Sequence, residues 1–326
     1  MARKTDVLII GAGQAGLAMS RCLIDFGIDH IVLDRGAVAQ RWRAERWASL
    51  RLLTPNWMTR LPGGSYDGDD TDGFMHKDEV VGFLIRYARS FDAPLREYVS
   101  VSEVSRTEEG YRVETSDGRF LARSVVIATG ACDRPAIPGF AIGLSPSIAQ
   151  VTTKTYMHPD ALEDGGVLVV GASATGVQLA EEIHLSGRPV TLAVGSHVRL
   201  PRNYRGKDIM QWLDASGLLG EQRDPTIPPE RVLRQPSLQL VGGVPARDIG
   251  LESLARLGVR LTGRVDCGQG TQLGLCDELA SEITRAEARG NRLLDRIDDH
   301  IEGRSVSTAS AERLTALDLK PCARDQ

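Results

Sequence analysis

No two cysteines in this 326-residue chain stand in a Cys-x-x-Cys pair. The five present, Cys22, Cys132, Cys267, Cys276 and Cys322, are odd in number and widely spread. That spacing argues against a disulfide framework, a zinc site and a redox dithiol, and it fits a reducing, cytoplasmic setting. No apolar run is long enough for a membrane helix, so no membrane partner is expected. Neither charge sign dominates: the net charge of -4 gives no reason to expect nucleic-acid binding. His30, His76, His158, His184, His197 and His300 are scattered, and none is assigned a catalytic role.

What is present is glycine at telling intervals. Met1 to Ser20 has the outline of a secretory signal, but Asp6 precedes its apolar run and Gly11, Gly13 and Gly16 interrupt it. These residues read better as a strand at Asp6 to Ile10, a helix at Gln14 to Phe26 and a strand at Asp29 to Asp34, a βαβ unit. A Trp/Arg-rich segment (Gln40 to Leu61) and a Gly/Asp-rich loop (Gly63 to Gly73) follow, then a helix capped by Asp78 and running to Phe91. Tyr98 to Val104, Tyr111 to Thr115 and Arg119 to Leu121 form a small antiparallel meander, and Val125 to Ala128 a further short strand. Prolines 135, 138 and 146 mark a hinge, after which Gly166 to Val170, Thr175 to Ser186 and Pro189 to Val194 make a second βαβ unit. Leu275, Leu279, Ile283, Ala286, Leu294, Ile297 and Ile301 recur at helical spacing, with a phase slip at Gly290 that favours packing on the second domain over a coiled coil. The expected fold class is α/β with two Rossmann-like dinucleotide-binding domains: residues 1–150, residues 151–304 with the long helix, and a tail at 305–326.

Gly11-Ala12-Gly13-Gln14-Ala15-Gly16 lies between strand and helix, with Asp34 at the end of the next strand. In a dinucleotide fold the first glycine makes the turn, the second lets the backbone approach a pyrophosphate, and the third lets helix and strand pack. The helix N-terminus offers free N–H groups and partial positive charge to the phosphates, and the acid accepts from ribose hydroxyls. Gly171-Ala172-Ser173-Ala174-Thr175-Gly176 repeats the pattern, with Ser173 in the place of Gly13. No acid stands at the tip of its second strand. Ser196, Arg199 and Arg202 lie there instead, suited either to a 2′-phosphate, and so to NADPH, or to a solvated surface. Two such folds in one chain point to hydride transfer between two bound cofactors.

These motifs, with RWRAERWASLRLLTP, the segment VVIATGACDRPAIPG, VLVVGASATGVQLAEEI and VTLAVGSHVRLPRNYRG, resemble the flavin-containing monooxygenase and Baeyer-Villiger-like superfamily, especially its bacterial CzcO-like flavoproteins. The resemblance implies FAD on the first domain and NADPH on the second, acting on a small organic molecule, with O2 reacting at the reduced flavin. It implies that Arg35, Trp42, Leu53 and Thr54 serve the flavin site, that Val101 lies near the adenine, and that Ala128, Thr129 and Gly130 line the closing strand. Trp42, Trp47 and Trp57 suit a core role equally well.

The superfamily's fingerprint places a histidine before an aromatic ahead of the second glycine motif; here Thr152 and Thr153 precede Tyr156, and His158 follows it. Relatives also return to the FAD domain after the long helix, and Ala316 to Gln326 holds no such segment, so weaker flavin binding is expected. Two other readings stand beside the monooxygenase: a pyridine nucleotide-disulfide-reductase-type flavoprotein, disfavoured by the lack of a dithiol, and a non-catalytic nucleotide-binding protein. Homo-oligomerisation is left open.

Overall fold

The computed structural model describes residues 2–243, 248–315 and 317. Most of the closing stretch in which a returning segment was sought therefore lies outside the described residues, as does Cys322. The chain divides into two compact units: residues up to Ile137 with Val151–His158, and Pro138–Gln150 with the residues from Pro159 onward.

The first unit is built on β1 (Arg3–Ile10), α1 (Gln14–Asp25) and β2 (His30–Leu33), followed by α2 (Gln40–Ala44) and α3 (Lys77–Ser90). Then come β3 (Leu95–Arg96), β4 (Val101–Thr107), β5 (Gly110–Thr115) and β6 (Gly118–Ile127). The six strands form one sheet in the order β3-β2-β1-β6-β5-β4. Val7-Leu8-Ile9-Ile10 is apolar without alternation because β1 is central and covered on both faces. Successive side chains point to opposite faces: Ile9 packs with Leu17, Leu84 and Ala88 of the helices, while Leu8 packs with Leu33, Val113 and Phe120 on the other side. Parallel pairing of β1 with β2 and β6 brings Ile10 level with Leu33 and Ile127.

Three local expectations change. The segments Arg119 to Leu121 and Val125 to Ala128 belong to one strand, β6, whose first half closes the meander against β5 while its length pairs with β1. The polar residues Arg123 and Ser124 do not break it; they are exposed. The cap of α3 is His76, not Asp78: the His76 ring accepts from the Asp78 N–H at 3.3 Å, and Glu79 accepts from the His76 N–H at 2.6 Å. Asp78 instead sits in the first turn, where negative charge complements the helix dipole. The Trp/Arg segment holds α2, a 3-10 turn (Asn56–Met58) and a strand (Arg60–Leu61) that pairs with Gly64–Ser65. Buried Asn56 fastens the Gly/Asp loop, donating to the Asp70 carbonyl and accepting from the Met75 N–H, both at 2.8 Å.

The second unit repeats the theme with β7 (Val167–Val170), α4 (Ala174–Leu185) and β8 (Val190–Ala193). A short strand β9 (Val198–Arg199) pairs with β10 (Leu238–Gln239), and α5 (Leu251–Leu257) leads to β11 (Arg260–Thr262). The parallel sheet runs β11-β8-β7, so among the described residues β7 has a neighbour on one side only, and Val170 is 48% exposed. The long helix α6 (Leu279–Gly303) buries Ile283, Ala286, Leu294, Ile297 and Ile301 within this unit. Leu275 belongs to the preceding strand instead. The phase slip at Gly290 has a packing cause: a Cβ there would collide with the Arg199 carbonyl, so glycine lets the helix backbone lie directly on β9.

Candidate dinucleotide sites

In the first unit the carboxyl ends of β1, β2 and β6 converge on the glycine turn. The Gly11 N–H donates to the Leu33 carbonyl at 2.7 Å, and the Ala128 N–H to the Ile10 carbonyl at 2.8 Å. Gly11 has φ +115°, and a Cβ on it would collide with the Ala128 carbonyl; a Cβ on Gly16 would collide with the Gly11 carbonyl. Both positions therefore demand glycine. Gly13 differs: it has the extended backbone of an N-cap (φ -89°), and a Cβ on it would meet nothing within 4 Å. Its open side, at the N-terminus of a 12-residue helix, fits the approach of a pyrophosphate.

Asp34 organises this turn. Its carboxylate accepts from the Ala12 N–H at 2.7 Å and from the Gly36 N–H at 2.9 Å. A carboxylate has about four acceptor positions, so capacity for ribose hydroxyls is left. Arg35 is turned toward Asp133 at 3.0 Å and Glu45 at 3.5 Å. Trp42 is partly buried against the helical core, with the Arg46 guanidinium 5.6 Å from its ring, whereas Trp47 is fully in the core. Leu53 and Thr54 are partly buried just before the Asn56 turn, and Val101 packs on the meander side of the sheet. Ala128 continues β6 toward Gly11, and Thr129 and Gly130 are exposed beyond it. Tyr156 is buried.

The sequence reading missed Arg41. It bonds Asp133 at 2.8 Å, and its guanidinium lies 3.1 Å from where a Cβ on Gly130 would stand. Lys154 joins the same cluster, donating to the Asp133 carbonyl at 3.1 Å. Arg41 and Asp133 are 92 residues apart in sequence, so only the fold reveals the pairing.

The second unit reproduces the turn. The Gly171 N–H donates to the Ala193 carbonyl at 2.9 Å, Gly171 has φ +104°, and a Cβ on Gly176 would collide with the Gly171 carbonyl. Ser173 holds the N-cap with φ -80°, similar to the -89° of Gly13, and Thr175 lies in the first turn of α4. At the place of Asp34 stands Val194, with no exposed surface. The loop is tied instead by buried Gln239, whose side-chain amide donates to the Ala172 carbonyl at 2.6 Å.

The arginines expected to receive a 2′-phosphate have other partners. Arg202 is 1% exposed and its guanidinium is held by Asp208 at 2.6 Å, so it is a structural ion pair within the unit. Burial pulls its pKa down, opposed by the charge of Asp208. Arg199 bonds Glu287 at 3.2 Å and the Thr315 carbonyl at 3.1 Å. Ser196 remains exposed at the loop, donating to Glu282 at 3.3 Å. Among the described residues no group of His, Cys, Asp or Glu could hold a metal ion.

The family model for pyridine nucleotide-disulphide oxidoreductases matches residues 8–215, which contain both glycine turns. The chain belongs to that family. Over 216 residues it is 39% identical to an uncharacterized CzcO-like oxidoreductase of Geobacillus kaustophilus, covering 66% of this chain and 61% of the relative. It is 29% identical over 231 residues to the indole-3-pyruvate monooxygenase YUCCA6 of Arabidopsis thaliana, covering 64% and 54%. A flavin-containing monooxygenase from Stenotrophomonas maltophilia superposes with a TM-score of 0.58 at 20% identity, covering 84% of this chain and 76% of that one. The bacillithiol disulfide reductase of Staphylococcus aureus gives 0.55 at 13%, covering 85% and 72%. These likenesses bear out the α/β fold with Rossmann-like domains and the resemblance to the flavin monooxygenase superfamily and its CzcO-like members. The chain spans about three fifths of the length of the CzcO-type relatives, 61% and 62% for the first two. No helix among the described residues is long and apolar enough to cross a membrane.

Proposed function

We propose that the chain binds FAD on its first unit and a nicotinamide coenzyme on its second, and serves as a monooxygenase-type oxidoreductase acting on a small organic molecule. The observation that supports this most is the duplication: two glycine turns with matching hydrogen bonds, each followed by an extended N-cap residue, Gly13 or Ser173, at the start of a 12-residue helix. The first turn carries Asp34 and the Ala128–Gly130 strand end, which suit the ADP half of FAD; its amide donors at the start of α1 would hold the pyrophosphate and Asp34 the ribose. FAD, when bound, supplies the two-electron chemistry linking the coenzyme hydride to oxygen. The protein's own part is to bind, orient and exclude water. The NADPH expectation rested on the resemblance and on Ser196, Arg199 and Arg202; both guanidiniums are paired with carboxylates, so the coenzyme is argued separately below.

Monooxygenase names among the curated relatives support oxygenation. The family model and the bacillithiol disulfide reductase carry the disulfide name, but the described cysteines, Cys22, Cys132, Cys267 and Cys276, are all free thiols without a Cys-x-x-Cys pair, which disfavours that reading. The test is anaerobic reduction of the FAD-loaded protein by NADH or NADPH, followed by admission of air. Bleaching and reoxidation of the flavin absorbance with O2 uptake is the expected result. A folded protein that binds a coenzyme but holds no flavin and shows no turnover would favour the non-catalytic nucleotide-binding alternative.

A further inference from the structure

The second glycine turn lacks an acid in sequence but has one in space. The β2 and β8 strand ends correspond by their hydrogen bonds: Gly11 bonds Leu33 as Gly171 bonds Ala193, which sets Val194 at the place of Asp34 and Ser196 at the place of Gly36. In the first unit the Asp34 carboxylate accepts from the backbone N–H of Gly36 at 2.9 Å. In the second, a carboxylate grips the equivalent residue from another direction: Glu282, in the first turn of α6, accepts from the Ser196 hydroxyl at 3.3 Å. The two residues are 86 apart in sequence.

We propose that Glu282 takes the part of the missing strand-end acid and sets the coenzyme preference of the second unit toward NADH. This deepens the reading of that unit as a nicotinamide site and rests on it. A carboxylate beside the adenosine ribose accepts from a 2′-hydroxyl and repels a 2′-phosphate. Glu282 is 6% exposed, which works against its charged form, but hydrogen bonds from Arg285 and Ser196 and the charges of Arg285 and Arg289 outweigh burial and hold its pKa below the usual carboxylate range. It is therefore ionised at neutral pH.

The neighbouring cations each have an acceptor already. Arg285 bonds Glu282 at 2.7 Å and faces Glu278 at 3.9 Å. Arg289 donates to the His197 carbonyl at 3.0 Å, and Arg199 to Glu287. Replacing Ser196-bound Glu282 by a phosphate would require both the loss of that hydrogen bond and the approach of like charges.

The experiment is a binding titration of NADH and NADPH, followed by coenzyme fluorescence, on the full chain and on Glu282→Gln, with circular dichroism to confirm folding. The wild type should bind NADH at least about tenfold more tightly, and Glu282→Gln, which keeps the shape and removes the charge, should shrink that ratio by about tenfold. Tighter NADPH binding by the wild type, or an unchanged ratio in folded Glu282→Gln, overturns the proposal. If the variant does not fold, the wild-type ratio alone decides. Folded wild type that binds neither coenzyme overturns the reading of the site itself, and the proposal with it; the pattern is distinct from binding with the wrong preference.

Discussion

The two βαβ units carry the same turn in different surroundings. Around Gly11 the neighbouring strand β6 runs alongside β1 and places the Ala128 carbonyl where a Cβ would go; around Gly171 a Cβ would meet nothing within 4 Å. Leu8 and Ile9 of β1 have no exposed surface, whereas Val170 at the end of β7 is 48% exposed. The turn's local geometry therefore follows from its own glycines and from the strand that follows the helix, since Gly11 and Gly171 make matching bonds to the Leu33 and Ala193 carbonyls. What encloses it is set by strands far away in sequence; the acid differs too, with Asp34 supplied by the next strand of the same βαβ stretch in one unit and Glu282, on a distant helix, bonded to the corresponding loop residue in the other.

The largest expected difference between the units comes from their first glycines. Gly171→Ala imposes backbone strain alone, costing about 1 to 3 kcal/mol. Gly11→Ala adds a collision with backbone, worth about 1 to 3 kcal/mol more. Denaturant unfolding should therefore show Gly11→Ala as the less stable variant. Equal losses would mean that β6 is not packed against the turn as described.

Asp34→Asn should come next. It keeps the shape but removes the charge from two bonds to backbone N–H groups, costing about 1.5 to 3 kcal/mol. FAD affinity should fall by about ten- to a hundredfold. Coenzyme binding to the second unit should be unaffected, because the loop there is tied by Gln239. Coenzyme loss equal to flavin loss would break the comparison.

The smallest effect concerns acid stability. His197 is 1% exposed, and burial holds its pKa below the ordinary imidazole range, against the hydrogen bond to the Gly195 carbonyl and the charge of Glu282 that favour the cation. Arg289 and Arg199 lower it further. The unfolded chain takes up this proton first, near pH 6.5, so the contribution is complete above that pH and is lost as pH falls toward the folded pKa. Thermal scans between pH 7.5 and 5.5 should show a steeper fall for the wild type than for His197→Gln. Parallel curves would show that His197 does not titrate between the two states.

Both glycine turns, their strands and helices, and Asp34 were legible because each depends on residues within one βαβ stretch. The His76 cap was not: aspartate is the commoner cap, and only the Glu79 carboxylate reaching back to the His76 N–H reveals the alternative. Arg119 to Leu121 and Val125 to Ala128 read as separate strands because the exposed Arg123 and Ser124 interrupt the apolar pattern, and only pairing with β1 shows them to be one. Arg202 reads as a 2′-phosphate contact or a solvated charge because its closeness to Asp208 in sequence does not show that Asp208 and the Val241 carbonyl enclose the guanidinium. Arg41 with Asp133, and Ser196 with Glu282, are long-range pairs of charged or polar residues that no local pattern encodes.

The assignment of FAD to the first turn and the coenzyme to the second is tested most directly by titrating FAD into the wild type, Gly13→Leu and Ser173→Leu, following the flavin absorbance. The side chain at residue 13 would enter open space without disturbing the fold, so Gly13→Leu should remain folded and lose FAD binding, while Ser173→Leu should bind FAD as the wild type does. Retention of FAD by folded Gly13→Leu, or its equal loss in both variants, would contradict the account.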